Sequence, residues 1–244
     1  MCQVIVTCRS FLWTLLSIAT TQIFIASVFS PAWLIGYERS PQALTFNNLG
    51  NSSTWEGRYD NNEDATEPFS PTIGIINRCT RLRRFQEILK RENCATYVTE
   101  FSMPNSQFPD AWKASLVFFC IGGVLLVFTM GTSVMSICMQ SMCGKSIFTL
   151  SGLIQSIAGV FCSIGVVLYP VGWSSDKVKF YCGEETSAFH YDLCSFGWSF
   201  YACVAAVILV FTCSVLSIGA DHATTSRRVE EELVEGKALI CVMA

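Results

Sequence analysis

The sequence predicts an α-helical membrane protein: four transmembrane helices in a bundle, with a small antiparallel β-sheet outside the membrane. The composition supports this prediction, because 51% of the 244 residues are apolar and only 14% are charged. The mean hydropathy of +0.43 is high for a soluble domain of this length. Four long uncharged stretches and a set of cysteines between them give the prediction its details.

The four spans follow from stretches that contain no Asp, Glu, Lys, Arg or His. These stretches are residues 10–37, 114–144, 146–175 and 193–220. Each exceeds the roughly 20 apolar residues that a helix needs to cross a bilayer. We therefore expect a single tetraspan domain over residues 1–244, with spans at about 11–31, 114–138, 147–170 and 196–219.

A cleaved signal peptide is the alternative interpretation of the first stretch, because Arg9 precedes an apolar run. The run is longer than the apolar region of a signal peptide, and Pro31 stands where a cleavage site would be expected. We therefore expect residues 11–31 to remain as a span.

Cysteines predict which side of the membrane each polar segment occupies. Four of the 13 cysteines lie in two segments on one side, and their even number is typical of an oxidising exterior. We expect two disulfides, Cys79–Cys94 and Cys182–Cys194. The glycosylation acceptor Asn51, in Asn51-Ser52-Ser53, falls on the same side.

This assignment makes residues 32–113 and 171–195 extracellular loops and residues 220–244 a cytoplasmic tail, with the N-terminus also cytoplasmic. We expect the plasma membrane to be the main location, with endosomal membrane as the alternative. The first loop carries an acidic block at residues 56–67 and a basic block at residues 78–91, which form either a solvated face or a docking surface.

The first loop also predicts short strands at residues 72–80 and 95–100, with a turn of helix around residues 82–89. Such short strands are not stable alone. We expect them to pair with residues 33–38 and 178–182 in a sheet that caps the helical bundle.

Several residues resemble a known pattern. Trp33, Gly74, Cys79 and Cys94 follow the claudin-superfamily pattern W…G-L-W-x-x-C…C, with Ile76 in place of the second tryptophan. Three further segments resemble, more narrowly, the LHFPL (lipoma fusion-partner-like) tetraspan family, and within it the second member. These segments are residues 1–10, residues 235–241, and the stretch Tyr169-Pro170-Val171-Gly172-Trp173.

The resemblance implies a claudin-like fold, which is a left-handed four-helix bundle under an extracellular sheet. It also implies a role, because members of known role are auxiliary subunits of ion channels and receptors. They aid the assembly, trafficking and surface localisation of those proteins, including in mechanotransduction and at inhibitory synapses. Analogy of fold alone does not identify the partner.

The residues predict neither catalysis nor a cofactor or metal site. Proton relays, coupled transporters and intramembrane hydrolases depend on ionisable side chains inside the membrane, and the four stretches have none. The two histidines, His190 and His222, fall on opposite sides of the membrane, so no Ser-His-Asp site can form from them. The charge pattern does not indicate nucleic-acid binding either.

Polar and small residues inside the spans predict helix packing. Gln22, Gln140 and Gln155 could line a pore, but amides more commonly bond between helices. Glycines would let backbones approach, on the third span at Gly152, Gly159 and Gly165, and on the second at Gly122, Gly123 and Gly131. Five aromatic residues near the span ends predict a belt at the lipid–water interface: Trp33, Trp112, Trp173, Trp198 and Tyr201.

The tail contains two hypothetical signals. Glu235, Leu239 and Ile240 have the spacing of an acidic dileucine sorting signal. The last four residues, starting at Cys241, fit the prenylation pattern, and Cys143 lies beside a span where palmitoylation occurs. Unmodified thiols are the alternative at both positions.

We therefore expect a non-enzymatic, multi-pass interaction protein embedded in the lipid bilayer. Its partner would be a larger integral membrane protein, such as a channel, receptor or adhesion protein. The alternative is a claudin-like adhesion or barrier protein that self-associates through its extracellular loops. A channel or transporter is disfavoured because the spans lack ionisable residues.

Overall fold

The computed structural model describes residues 4–36, 69–82, 92–96, 109–136, 141–142, 145–226 and 239–242. Four of its helices are long and apolar enough to cross a membrane. They are α1 (Cys8–Phe29), α2 (Asp110–Met135), α3 (Ile147–Val171) and α5 (Trp198–Thr224). The four predicted spans are therefore present as helices, and the helices extend beyond the uncharged stretches at several ends.

A five-stranded sheet with pairing order β5-β4-β3-β2-β8 is the main β structure. All four pairings in this sheet are antiparallel. The strands are β2 (Leu34–Ile35), β3 (Phe69–Ile73), β4 (Asn77–Leu82), β5 (Glu92–Thr96) and β8 (Ser195–Phe196). The predicted small antiparallel sheet is thus present, with different strand boundaries.

Two strand predictions were wrong. Residues 178–182 lie in a short helix, α4 (Asp176–Cys182), so the second loop contributes β8 to the sheet instead. Residues 72–80 form two strands, because the chain turns between Ile73 and Asn77. The predicted strand at 95–100 begins earlier, at Glu92, and the predicted helical turn around 82–89 lies mostly outside the described residues.

Two small strand pairs complete the structure. β6 (Ser141–Met142) and β7 (Lys145–Ser146) form an antiparallel pair between α2 and α3. β1 (Val4–Thr7) and β9 (Leu239–Val242) form a parallel pair, which joins the beginning of the chain to its tail. The sequence analysis did not anticipate this second pair.

The chain divides into two compact units. The helical unit consists of Met1–Ser27, Ala114–Val167 and Ala202–Ala244. The sheet unit consists of Val28–Lys113 and Leu168–Tyr201. The fold class is confirmed, and each unit has its own means of stabilisation.

The helical unit packs through small residues, as the glycine pattern predicts. A Cβ atom on Gly159 would lie 2.9 Å from the ring of Phe211, and one on Gly165 would lie 2.8 Å from the ring of Phe119. Gly122 faces the Cys162 sulfur at similarly short range. Gly131 differs, since a Cβ atom there would meet nothing within 4 Å. The third span thus uses its glycines for close contact with neighbouring helices.

Candidate interaction surface

A buried aromatic cluster forms around Tyr169 in the sheet unit. The Tyr169 side chain is fully buried. Its ring centroid lies 4.8 Å from that of Trp33, 5.3 Å from that of Trp112 in a stacked arrangement, and 5.9 Å from that of Trp173. Offset and edge-to-face contacts of this kind each add about 0.5–1.5 kcal/mol to the burial of the rings. The cluster therefore fixes the end of α3 to the strand region at Trp33.

Hydrogen bonds orient this cluster. The Tyr169 hydroxyl donates to the Ile73 carbonyl oxygen at 3.2 Å, and the Trp112 indole N–H donates to the Tyr169 carbonyl oxygen at 3.0 Å. Gly172 lies directly against the Trp112 ring, so any side chain there would collide with the indole. One of the three segments quoted for the LHFPL resemblance, Tyr169-Pro170-Val171-Gly172-Trp173, thus contacts Trp33 and Trp112, and Pro170 within it is buried.

The predicted interface belt is wrong for three of its five members. Trp33, Trp112 and Trp173 are at most 1% exposed, whereas Trp198 and Tyr201 are 59% and 60% exposed. Position near a span end does not distinguish a residue facing lipid from one facing the protein. Here the rings of the three buried tryptophans contact Tyr169 instead of lipid.

Gly74 shapes the turn between β3 and β4. Its amide donates to the Asn77 carbonyl oxygen at 2.9 Å. A Cβ atom there would lie 2.8 Å from the Pro31 Cα atom and 2.9 Å from the Ser30 oxygen. Only glycine fits against these backbone atoms.

Both disulfides lie in the sheet unit. Cys79 on β4 is joined to Cys94 on β5, and these two residues are directly opposite in the antiparallel register. Cys182, the last residue of α4, is joined to Cys194 just before β8. The bonds close loops with sequence separations of 15 and 12 residues. Each loop is therefore restrained by a covalent bond at its base.

One polar contact joins the two disulfide-closed segments. The Arg78 guanidinium donates to the Tyr181 hydroxyl at 3.0 Å. Arg78 belongs to β4 and Tyr181 to α4, each next to a half-cystine. This contact holds the second loop against the sheet.

The second loop also presents apolar side chains outward. Phe189 is 61% exposed and Leu193 is 58% exposed. Tyr191 is partly exposed while its ring packs against those of Trp173 and Phe196. With Trp198 and Tyr201 they form a set that we call the outer apolar row: Phe189, Tyr191, Leu193, Trp198 and Tyr201.

Hydroxyl and amide groups join the helices of the helical unit. Gln155 is buried; its Nε2 donates to Ser17 Oγ at 2.9 Å, and its Oε1 accepts from the Trp13 indole at 3.4 Å. The hydroxyls of Thr132 and Ser151 share a hydrogen bond at 2.8 Å. Among the described residues, the buried side-chain polar atoms of this unit all have partners.

The other two glutamines differ from Gln155. The Gln22 side chain is exposed and its amide donates to the Met130 sulfur at 3.9 Å. Gln140 lies outside the described residues. An interhelical bond that was not predicted from the sequence joins α5 to α3: the Asp221 carboxylate accepts from the Thr149 hydroxyl, and also from the hydroxyl of Ser146, the last residue of β7.

The tail signals are only partly described. Leu239, Ile240 and Cys241 lie in β9, in register with Val4, Ile5 and Val6. Asn51, Cys143 and Glu235 lie outside the described residues, as do the acidic block of the first loop and most of its basic block.

Within the described ranges, no three His, Cys, Asp or Glu side chains gather where they could hold a metal ion. His190 and His222 are both exposed.

Comparison with known sequences identifies the family. The profile of the family described as "Lipoma HMGIC fusion partner-like protein" matches residues 9–219. The chain belongs to the LHFPL family. This membership confirms the sequence resemblance and agrees with the four apolar helices, so this LHFPL protein is a multi-pass tetraspan membrane protein.

Similar LHFPL proteins include two that match over their whole length. LHFPL tetraspan subfamily member 2a protein of Danio rerio is 42% identical over 243 residues, and LHFPL tetraspan subfamily member 2 protein of Homo sapiens is 40% identical over 243 residues. Both alignments cover 100% of each chain. LHFPL tetraspan subfamily member 3 protein of Danio rerio is 30% identical over 155 residues, covering 59% of this chain and 64% of that relative. The full-length likeness agrees with the resemblance to the second member.

Proposed function

We propose that this LHFPL protein is a non-enzymatic auxiliary subunit that binds a larger channel, receptor or adhesion protein within the membrane. In this role it supports the assembly, trafficking or localisation of that protein. One observation carries the proposal: the buried polar atoms of the helical unit are bonded within the unit, among the described residues. These buried polar groups hold the helices of the unit together. Binding of a partner would therefore use the outward-facing side chains of the helices.

The apolar outer surface of the spans supports lateral binding. Large apolar side chains are exposed on every span, for example Leu15 on α1, Val124 on α2, Val160 on α3 and Val215 on α5. In a bilayer such side chains contact lipid or another transmembrane helix. The aromatic cluster and the disulfides hold the sheet unit rigid, which lowers the entropic cost of binding.

The proposed topology places residues 32–113 and 171–195 outside the cell and both ends of the chain in the cytoplasm, at the plasma membrane. Two disulfides in the sheet unit favour this topology, because disulfides persist in oxidising compartments. Asn51 would then be accessible to the glycosylation machinery. Treatment with a glycosidase should lower the apparent mass of the wild-type chain and leave an Asn51→Gln variant unchanged. Labelling of residue 182 from the cytosolic side, in a Cys194→Ser variant, would contradict the topology.

Crosslinking in native membranes, followed by purification and mass spectrometry, tests the auxiliary role. We expect one larger integral membrane protein to be recovered in stoichiometric amount. Loss of the LHFPL chain should then reduce the surface amount of that protein. Recovery of self-oligomers alone would contradict the proposal.

A claudin-like adhesion or barrier function is the second candidate. The exposed Phe189 and Leu193 on the second loop favour it, since apolar loop side chains can contact another copy. Cells that express the chain, mixed with cells that do not, provide the test. Enrichment of the protein only at contacts between two expressing cells would support self-association.

The tail signals are proposed as sites of routing and lipidation. Leu239→Ala with Ile240→Ala should raise the surface fraction, measured by surface biotinylation, if Glu235, Leu239 and Ile240 act as a sorting signal. Intact-mass measurement would show whether Cys241 or Cys143 carries a lipid. An unmodified mass would exclude both lipidation proposals.

A further inference from the structure

Phe189, at the tip of the second loop, has an unfavourable backbone conformation and an exposed ring. Ser187 and His190 exchange backbone hydrogen bonds, N to O, at 3.0 and 2.9 Å, which closes a tight turn around Ala188 and Phe189. Phe189 has φ of 64°, a left-handed conformation that favours Gly or Asn at this turn position. A residue with a Cβ atom is less favourable there than glycine, because the Cβ crowds the backbone. Phe189 also places a large apolar ring outward, at 61% exposure.

The turn is fixed beside the end of the third span. The Phe189 amide donates to the Pro170 carbonyl oxygen at 3.3 Å, and Pro170 lies in the last turn of α3. The next residue of that helix, Val171, is 36% exposed. The Leu193 amide donates to the Cys182 carbonyl oxygen at 3.0 Å, and the disulfide Cys182–Cys194 closes the loop at its base. The loop tip therefore does not extend freely away from the span.

Ring contacts continue from this loop to the start of the fourth span. Tyr191 and Phe196 have ring centroids 4.8 Å apart, and Phe196 and Tyr201 have centroids 5.9 Å apart. Tyr201 and Trp198 lie in the first turn of α5 and are mostly exposed. Ring contacts thus connect Tyr191 of the loop, through Phe196, to Tyr201 in the first turn of α5.

We propose that the second loop lies in the lipid–water interface, with Phe189 and Leu193 inserted among the phospholipid headgroups. Trp and Tyr are enriched at this depth because their amphipathic rings fit the headgroup level, and the outer apolar row contains Tyr191, Trp198 and Tyr201. Insertion would also remove the Phe189 ring from water, which would offset the conformational cost of the left-handed turn. Phospholipid is the assigned occupant because the loop is bonded to the last turn of α3 at Pro170 and linked by ring contacts to the exposed first turn of α5.

The inference concerns this loop alone and holds whether or not the chain is an auxiliary subunit. A loop that lies along the membrane cannot reach a facing membrane, so insertion would exclude the contact between copies through Phe189 and Leu193 on which the claudin-like second candidate rests. Its exposed face would be available only to molecules in the same bilayer. Glu184 and Glu185, exposed in the same loop, mark the part that stays in water.

Two labelling reagents, one that dissolves in lipid and one that stays in water, test the proposal on the purified full-length chain in phosphatidylcholine vesicles. One is a lipid-phase carbene precursor and the other is hydroxyl radical generated in water. We expect the carbene to label Phe189 and Leu193 as well as Ile208, a mid-span residue of similar exposure (62%). Hydroxyl radicals should oxidise Phe189 several-fold more slowly than its exposed neighbour His190.

Matched variants at the turn separate insertion from misfolding. Phe189→Asn suits the left-handed backbone and should remove carbene labelling at this position while the Cys182–Cys194 bond stays intact. Phe189→Leu keeps an apolar side chain and should keep the labelling. Oxidation of Phe189 at the rate of His190, without carbene labelling, would overturn the proposal. Protection of Phe189 from both reagents would overturn it too, because protein rather than lipid would then cover the loop.

Discussion

The helical unit and the sheet unit reach stability by different means. In the helical unit, hydroxyl and amide groups such as those of Gln155, Thr132 and Ser151 bond across helices, and glycines allow close approach. In the sheet unit, two disulfides and rings packed around Tyr169 hold short strands together.

This difference follows from the medium, lipid or water, in which each kind of structure must be stable. Lipid tails are as apolar as leucine, so burial of apolar side chains gives little drive for helices to associate in a membrane. Close packing and interhelical hydrogen bonds therefore supply the drive for the helices to associate. Strands as short as β2 and β8 cannot rely on pairing alone, and covalent and aromatic contacts compensate. Substitutions should therefore have larger effects in the sheet unit than in the helical unit.

Loss of a disulfide should have the largest effect. Replacing Cys182 and Cys194 together by Ser should lower the free energy of unfolding by about 2–5 kcal/mol, because the unfolded loop is no longer restrained. Unfolding of the purified protein in detergent would measure this, and surface delivery in cells should fall in parallel. Cys120→Ser, which removes an exposed free thiol, is the control and should change little. Equal losses of unfolding free energy in the two variants would contradict the expectation that the sheet unit is the more sensitive unit.

A methyl group at Gly74 should have the next largest effect. The added Cβ would meet backbone atoms of Ser30, Pro31 and Asn77, which cannot rotate away. Gly74→Ala should destabilise by about 1–3 kcal/mol, the usual range for overpacking. Gly219→Ala on α5 is the matched control, since a Cβ there meets nothing within 4 Å. Thermal unfolding in detergent should show a lower midpoint for the first variant only.

Loss of the Gln155 amide should have a smaller effect. Gln155→Leu removes the bonds to Ser17 and Trp13, and interhelical bonds of this kind contribute about 0.6–2 kcal/mol. Ser156→Ala is the control, because that hydroxyl bonds only to the carbonyl oxygen of Leu153 in its own helix. A loss for Gln155→Leu larger than that for the disulfide variant, in the same unfolding measurement, would reverse the order of the two units.

Loss of the Tyr181 hydroxyl should have the smallest effect. Tyr181→Phe removes one partly buried hydrogen bond from Arg78, which corresponds to about 0.5–1.5 kcal/mol. The thermal midpoint should fall slightly, and Tyr201→Phe at an exposed position should leave it unchanged. An unchanged midpoint for Tyr181→Phe would mean that this hydrogen bond adds nothing to the pairing of β8 with β2 and the ring contacts that hold the second loop to the sheet.

The sequence predicted the number of spans well because the absence of charge is a strong and long-range signal. It predicted helix ends less well. Asp110 and Lys113 are helical although charged, since a helix continues beyond the hydrocarbon region where charge is tolerated. Charge gaps therefore locate the membrane-embedded part of a helix and not its termini.

The sheet was harder to predict in detail. Residues 178–182 have β-favouring side chains, yet they lie in a short helix with Asp176 in its first turn, where a negative charge favours a helix. Strands of two residues, such as β8, are too short for any periodicity to be visible.

The aromatic cluster was not predicted, because it forms through contacts between residues that are far apart in the sequence. Gly172 accommodates the Trp112 ring, and those residues are far apart in sequence. The left-handed turn at Phe189 was missed as well, because phenylalanine is not a residue that signals such a turn.

The parallel pairing of β1 with β9 has a practical consequence for experiments on the intact chain. Backbone pairing links Val4–Thr7 directly to Leu239–Val242, so these two strands form one structural element. A fluorescent protein or affinity tag fused at either end would therefore sit next to both. Internal tagging in a loop would leave this element undisturbed.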